Sequence, residues 1–290
     1  VEGAHEPVKE GRCAACHNPH GSDLKSLLKD REDKVCFTCH ADADTNFTKT
    51  NRHVPIQAGN CSTCHRPHGA DEGKLLVKSG AELCATCHGD LMKVAKGAVV
   101  HSPFESGDCL TCHDPHASNV PGMLASGQGE LCGQCHGDIG DAIKTAKSGH
   151  RPVAAGECTK CHSPHQAKLE KLIRAPGPDL CTSCHKEIGD ALKSERAHSP
   201  AANDCLRCHQ PHSGPERKLL AKDMHALCAE CHDVQAATFA KAHIGIDPAV
   251  MNCVSCHTPH ASKDPKLFRA EVHPPFAGGS CDECHNVAKR

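Results

Sequence analysis

Cys13-Ala14-Ala15-Cys16-His17-Asn18-Pro19-His20 is the stretch from which the rest of the chain can be read. Two cysteines are followed at once by a histidine, and a second histidine stands three residues further on, behind a proline. The pattern Cys-x-x-Cys-His-x-Pro-His returns at Cys61, Cys109, Cys158, Cys205 and Cys253, at intervals of 48, 48, 49, 47 and 48 residues. Between these lies a second kind of motif, Cys-x-x-Cys-His without Pro-His. It begins at Cys36, Cys84, Cys132, Cys181 and Cys228, each time 23 residues after its predecessor. A last motif at Cys281 follows Cys253 by 28 residues. Such a fixed period marks a repeat array. The twelve motifs together consume all 24 cysteines.

Cys-x-x-Cys-His is the attachment signature of c-type haem: two thiols form thioethers to the porphyrin and the histidine ligates iron. The expected cofactor is twelve haems c. The tethers are Cys13 and Cys16, Cys36 and Cys39, Cys61 and Cys64, Cys84 and Cys87, Cys109 and Cys112, and Cys132 and Cys135. They continue with Cys158 and Cys161, Cys181 and Cys184, Cys205 and Cys208, Cys228 and Cys231, Cys253 and Cys256, and Cys281 and Cys284. The proximal iron ligands are His17, His40, His65, His88, His113, His136, His162, His185, His209, His232, His257 and His285. Zinc held by Cys-x-x-Cys pairs is the other metal reading.

Composition points the same way. Leu, Ile, Val and Phe make up about 16% of the 290 residues, and there is no Trp or Tyr. That is below the roughly 20% at which disorder is suspected. Protein side chains alone could not offset the entropy of ordering this chain, so the core is expected to be mostly porphyrin and the haem-free chain disordered. The protein charge is −2 with neutral histidines. Ionised haem propionates make the loaded protein strongly acidic, more so when reduced, which disfavours nucleic acid and favours basic docking partners. No segment approaches the ~20 apolar residues needed to span a bilayer. The chain starts at Val1 rather than Met, which is read as a removed secretion signal and a periplasmic or extracellular location.

Fourteen histidines remain for the second axial position. His5, His53, His101 and His150 precede their first-kind cysteine by eight residues, His198 by seven and His243 by ten. His273 precedes Cys281 in the same manner. His20 lies only three residues after His17, too few to wrap around a macrocycle to its opposite face, so the x-Pro-His histidine must serve another haem. The preferred assignment gives His20, His68, His116, His165 and His212 to the second haem of their own repeat. It gives His5, His53, His101, His150, His198, His243 and His273 to the motif each precedes. His225 and His260 are then surplus, with His225 read as a surface side chain. Two alternatives stay open: His260 in place of His273 at the last haem, or upstream histidines serving the preceding second-kind haem.

Proline two residues after a first-kind motif histidine stops a helix there. The second-kind motifs lead into helix-compatible runs such as residues 137–144, where Ile139 and Ile143 share a face. Strand signals are weak. The expected fold is mostly irregular with short α-helices and little or no β structure, an elongated haem-cored repeat array. It is one array, 1–290, of units at about 1–52, 53–100, 101–149, 150–197, 198–242 and 243–290.

The unit His-x7-Cys-x-x-Cys-His-x-Pro-His followed by Cys-x-x-Cys-His resembles the doubled-motif multihaem cytochromes c, over nearly the whole chain. The resemblance implies bis-His ligation, closely stacked porphyrins and electron transfer. Family members are similar to periplasmic carriers, the cytochromes of outer-membrane porin conduits, and extracellular cytochrome filaments of metal-reducing bacteria. About 24 residues per haem leave little polypeptide to separate the cofactors, so electron conduction between redox protein partners is the expected role. A filament subunit built from further copies of the chain is the alternative. A reductase with one open haem site is a weaker one, since histidines outnumber the irons and no catalytic cluster stands out.

Overall fold

The computed structural model describes residues 3–274, 276 and 280. The twelfth motif, with Cys281, Cys284 and His285, lies outside the described residues. Helices are short: the longest described, Gly80–His88, Gly137–Thr145 and Lys186–Ser194, have nine residues each. Among the described residues no helix is long and apolar enough to cross a membrane.

The first five repeats are built in the same local order. An upstream histidine precedes a four- or five-residue helix whose first turn holds a proline, as in Glu6–Lys9, Val54–Gln57, Ser102–Glu105, Arg151–Ala154 and Ser199–Asn203. Proline's fixed φ suits a helix start, where its missing N–H costs nothing. In the first four repeats the helix ends on a glycine in the left-handed region, Gly11, Gly59, Gly107 or Gly156. At Gly107 (φ 74°) an added Cβ would also lie 2.9 Å from that of Ala81, in the preceding repeat. Glycine thus allows both the turn and the close approach.

The first-kind motif then forms one 3-10 turn, as at Cys13–Ala15 and Cys61–Thr63. The chain leaves it in extended form through x-Pro-His. The second-kind cysteines sit on helices instead: Glu32–Phe37, Gly80–His88, Gln128–Gly133, Gly177–Thr182 and Met224–Ala229. In the first, third and fourth repeats a further helix starts directly after the motif histidine, at Ala41, Gly137 and Lys186.

Contacts gather the chain into two compact units, residues 1–134 with 162–172, and residues 135–161 with 173–290. The described strands are pairs of residues: β1 (Asn51–Arg52), β2 (Val99–Val100), β3 (Ala117–Ser118), β4 (Ser148–Gly149), β5 (Gln166–Ala167), β6 (Arg196–Ala197), β7 (Ser213–Gly214) and β8 (Ala261–Ser262). In the first unit β1 pairs with β3 and β2 with β5; in the second, β4 pairs with β7 and β6 with β8, all antiparallel. Each ladder joins the residues just before an upstream histidine to those just after the x-Pro-His of the next repeat. Strand content is small, as expected, but it marks every junction at which it occurs.

Among the described residues there is no ordinary hydrophobic core. The buried residues among those described are all glycine, alanine or serine. Large apolar side chains stay outside: Val54 is 73% exposed and Leu110 64%. Burial on this scale cannot offset chain entropy, so the packing must be completed by the groups tethered at the cysteines.

Candidate functional site

Histidine rings lie opposite one another in pairs, their planes close to parallel. His5 faces His40 at 6.1 Å between centroids and 14° between planes. His53 faces His88 at 6.1 Å, His150 faces His185 at 6.2 Å and His198 faces His232 at 6.1 Å. In each case an upstream histidine stands opposite the second-kind motif histidine of its own repeat. A second set joins repeats: His17 with His68 at 5.8 Å, His65 with His116 at 6.2 Å, His113 with His165 at 6.1 Å, and His209 with His260 at 6.1 Å. Here a first-kind motif histidine meets the x-Pro-His histidine of the following repeat.

These pairings correct the preferred assignment. His5, His53, His150 and His198 face the second-kind histidine of their own repeat rather than the motif they precede, and His68, His116 and His165 face the first-kind histidine of the repeat before rather than the second-kind histidine of their own. His260 is not surplus, because it stands opposite His209. His20 takes its place as the unpaired one: no ring partner is found for it among the described residues, and its recorded contact is a backbone N–H to Asn18 Oδ1 at 3.5 Å. His225 is also corrected. It is half-buried, and its Nε2 is shut away from solvent without a hydrogen-bond partner.

The physical reason lies in the junctions. The upstream histidine donates its backbone N–H to the x-Pro-His carbonyl of the next repeat: His5 to His68 (3.2 Å), His53 to His116 (3.0 Å), His101 to His165 (2.9 Å), His150 to His212 (2.8 Å) and His198 to His260 (2.8 Å). Its ring Nδ1 donates to the adjoining prolyl carbonyl, as His5 does to Pro67 (2.9 Å), His53 to Pro115 (3.1 Å) and His198 to Pro259 (2.9 Å). His101 and His150 bond Pro164 and Pro211 in the same way, at 2.9 Å each. A carbonyl can only accept, so Nδ1 carries the proton and Nε2 keeps its lone pair.

The first-kind motif histidines are held differently, by a carbonyl nine residues downstream. His17 Nδ1 donates to Ser26 (2.7 Å), His65 to Lys74 (2.9 Å) and His113 to Gly122 (2.8 Å). His162 donates to Lys171 (2.8 Å), His209 to Lys218 (2.9 Å) and His257 to Lys266 (2.9 Å). Burial, followed by neighbouring histidines or a lysine, holds His165 and His260 below the usual imidazole range. Burial also dominates at His116, against the opposing pull of Asp114. Neutral rings are the ligand form.

The end of the array differs. His243 lies at the end of the helix Ala237–Ala242, its Nδ1 bonded to Phe239 O at 3.0 Å, and faces His257 at 6.4 Å with a 58° tilt. Here an upstream histidine meets the first-kind histidine of its own repeat, as the spacing of the two in sequence suggests. His273 is exposed, and the motif it was assigned to lies outside the described residues.

The tethers also come close. The Cys36 and Cys61 thiols lie close enough to perturb one another's ionisation, as do Cys84 with Cys109, Cys181 with Cys205, and Cys228 with Cys253. Each pair links a second-kind motif to the first-kind motif of the next repeat. Burial, then Cys205, pushes the Cys181 thiol up to about 11. Among the described residues the cysteines form no disulfides, and no three His, Cys, Asp or Glu converge on a bare-ion site. The donors meet in twos. Two imidazole–metal bonds of roughly 2 Å each, plus the halves of two rings, account for a centroid spacing of about 6 Å. The residues present therefore fit an iron porphyrin between facing histidines, with cysteines at its edge.

Two sets of contacts were not read from the sequence. Four of the six phenylalanines touch histidine rings: Phe47 on His116 (4.5 Å), Phe104 on His165 (5.0 Å), Phe239 on His243 (4.0 Å) and Phe268 on His257 (4.9 Å). The other set is the row of carbonyls nine residues after the first-kind histidines. A signal existed for the latter in the apolar pair that recurs at this spacing, Leu27-Leu28, Leu75-Leu76 and Leu219-Leu220.

The architecture defined by these observations is an array of two-haem repeats. The doubled CXXCH motif family matches residues 5–45, 53–93, 101–141, 150–190, 198–237 and 247–272, and the chain belongs to it. It is a multihaem c-type cytochrome with twelve haem c attachment sites, of a class that works in electron transfer. No curated protein matches the chain.

Proposed function

We propose that the protein conducts electrons along a row of twelve bis-histidine haems, outside the cytoplasmic membrane, between redox protein partners. The closeness of tethering cysteines between successive motifs is the observation that carries this reading. A thioether sulfur lies at the porphyrin edge, so neighbouring tethers bring adjacent macrocycles edge to edge. Facing histidines close both axial positions, which suits electron transfer and leaves no open iron for small-molecule chemistry. The haem supplies a one-electron iron couple; the protein supplies ligands, spacing and an acidic surface for salt-sensitive docking.

The proposed ligand sets follow the facing rings: an upstream histidine with the second-kind histidine of its repeat, and an x-Pro-His histidine with the first-kind histidine before it. Mass spectrometry and low-temperature EPR of the purified holoprotein test this. Twelve haems, all low-spin, are expected. A stoichiometric high-spin iron that binds exogenous ligands would replace conduction with a reductase.

One observation favours a second reading, a subunit of an extracellular filament. His68, His116, His165 and His260 each face a ring in the preceding repeat. His20 stands at the same place in its repeat and is exposed. Electron microscopy of the purified holoprotein decides between single particles and filaments.

A further inference from the structure

We propose that the turn downstream of each of the first five first-kind motifs is a positioning element that lowers the reduction potential of the first-kind haem independently of its second-kind neighbour. The inference rests on the bis-histidine reading above. Its starting point is a backbone that sequence preference alone does not account for. In four repeats two successive non-glycine residues take left-handed φ: Ser26 and Leu27 (56° and 54°), Lys74 and Leu75 (56° and 58°), Lys171 and Leu172 (56° and 58°), Lys218 and Leu219 (59° and 60°). The third repeat uses Gly122 (72°) and Met123 (58°). L-residues avoid this region, and such strain persists only where the surroundings over-determine it.

What each turn delivers is a single carbonyl, that of its first left-handed residue, aimed at the Nδ1–H of the proximal histidine. The ring is also fastened through the backbone: the residue after His17 donates to Leu27 O at 2.8 Å, and Lys29 donates to Cys16 O at 3.0 Å. Such a bond fixes the tautomer and the ring plane and makes the imidazole a stronger donor, which favours ferric over ferrous iron.

Four of the second-kind histidines are held without this device. No ring-nitrogen bond is recorded for His40, His88, His185 or His232 among the described residues. For those haems the carbonyl bond falls on the facing histidine and comes from the next repeat's proline. First-kind potentials are therefore set inside a repeat, and second-kind potentials at its junction. The two alternate along the array.

Replacing Lys74 by proline tests this, because proline's φ near −65° excludes the observed +56°. Potentials are read haem by haem from haem-methyl NMR during redox titration of the holoprotein. In Lys74→Pro the haem tethered at Cys61 and Cys64 should become about tenfold easier to reduce, equivalent to 59 mV for one electron. Lys74→Asn, which tolerates the left-handed region, should leave it at the wild-type value. Should Lys74→Pro fail to mature, Gly122→Ala adds strain where no atom lies within 4 Å, and should shift the haem at Cys109 and Cys112 in the same direction, about threefold. Unchanged potentials, an equal shift in Lys74→Asn, or a shift confined to the haem at Cys84 and Cys87 would overturn the proposal. Failure of the bis-histidine reading would show separately, as high-spin iron in the unmutated protein.

Discussion

The imidazole rings of His5 and His40 face each other 6.1 Å apart and 14° from parallel, although 34 residues of chain lie between them. His17, which is closer to His5 in sequence, faces His68 instead. His5 thus passes over the nearer motif histidine to meet the farther one, and the x-Pro-His segments ending in His68, His116 and His260 each serve both rings of the repeat before. The histidine faces the first-kind ring, and the prolyl carbonyl orients the ring opposite the second-kind one. Exchanging His5 for methionine should raise the potential of one haem, that tethered at Cys36 and Cys39, because a Met/His pair favours ferrous iron. Haem-resolved redox titration checks this. A shift at the haem of Cys13 and Cys16 would restore the pairing expected from sequence distance alone.

His20 and His260 should behave oppositely despite occupying the same place in their repeats. His260→Ala leaves His209 without its facing ring, so about one-twelfth of the iron should turn high-spin by EPR. His20→Ala should leave the spectrum of isolated molecules unchanged. If the protein forms filaments, the same substitution should be compared in the polymer, where a new high-spin signal would place His20 at a subunit contact.

The haem-free chain should not fold. Its described interior consists of glycine, alanine and serine, while residues such as Val54 and Leu110 remain exposed. Expressed without haem attachment, the protein should show a coil-like circular dichroism spectrum and no cooperative melt. A sharp thermal transition in the apoprotein would show that the polypeptide has a core of its own.

Asp114 links acid stability to the seating of His116. Its Oδ1 accepts from the His116 N–H at 3.0 Å and the Ala117 N–H at 3.3 Å, while its Oδ2 meets Lys49 Nζ at 3.1 Å. Burial opposes ionisation, but these donors prevail and hold the carboxyl below its ordinary range. A depressed carboxylate contributes stability that is present above its unfolded value near pH 4 and is lost as pH falls through the folded one. Asp114→Asn should therefore lower stability by about 1 kcal/mol at neutral pH and flatten the acid limb of the stability profile. Denaturant melts of the holoprotein between pH 3 and pH 7, taken as an approximate window around the carboxylate range, measure both effects.

The residues that hold haem were legible because attachment is local. Two thiols and an adjoining histidine must lie within five residues to meet one porphyrin edge, so each motif, the repeat period and the cofactor count stand in the primary structure. Short helices around the second-kind motifs, and their absence after Pro-His, were legible for the same reason: proline and helix periodicity act over a few residues. His225 was misread because nothing in its local sequence shows that its Nε2 is shut away from solvent.

The partner of each iron-binding histidine was a tertiary decision. Distance along the chain suggested that His5 serves the first-kind motif it precedes. The choice came from the junction, where the His5 N–H and Nδ1 find the carbonyls of His68 and Pro67, and where two-residue strands recur in later repeats. Those bonds join segments more than sixty residues apart, so no local pattern encodes them. The same holds for the left-handed turns: Lys74 and Leu75 are ordinary residues, and only the fold drives them into a conformation they would otherwise avoid.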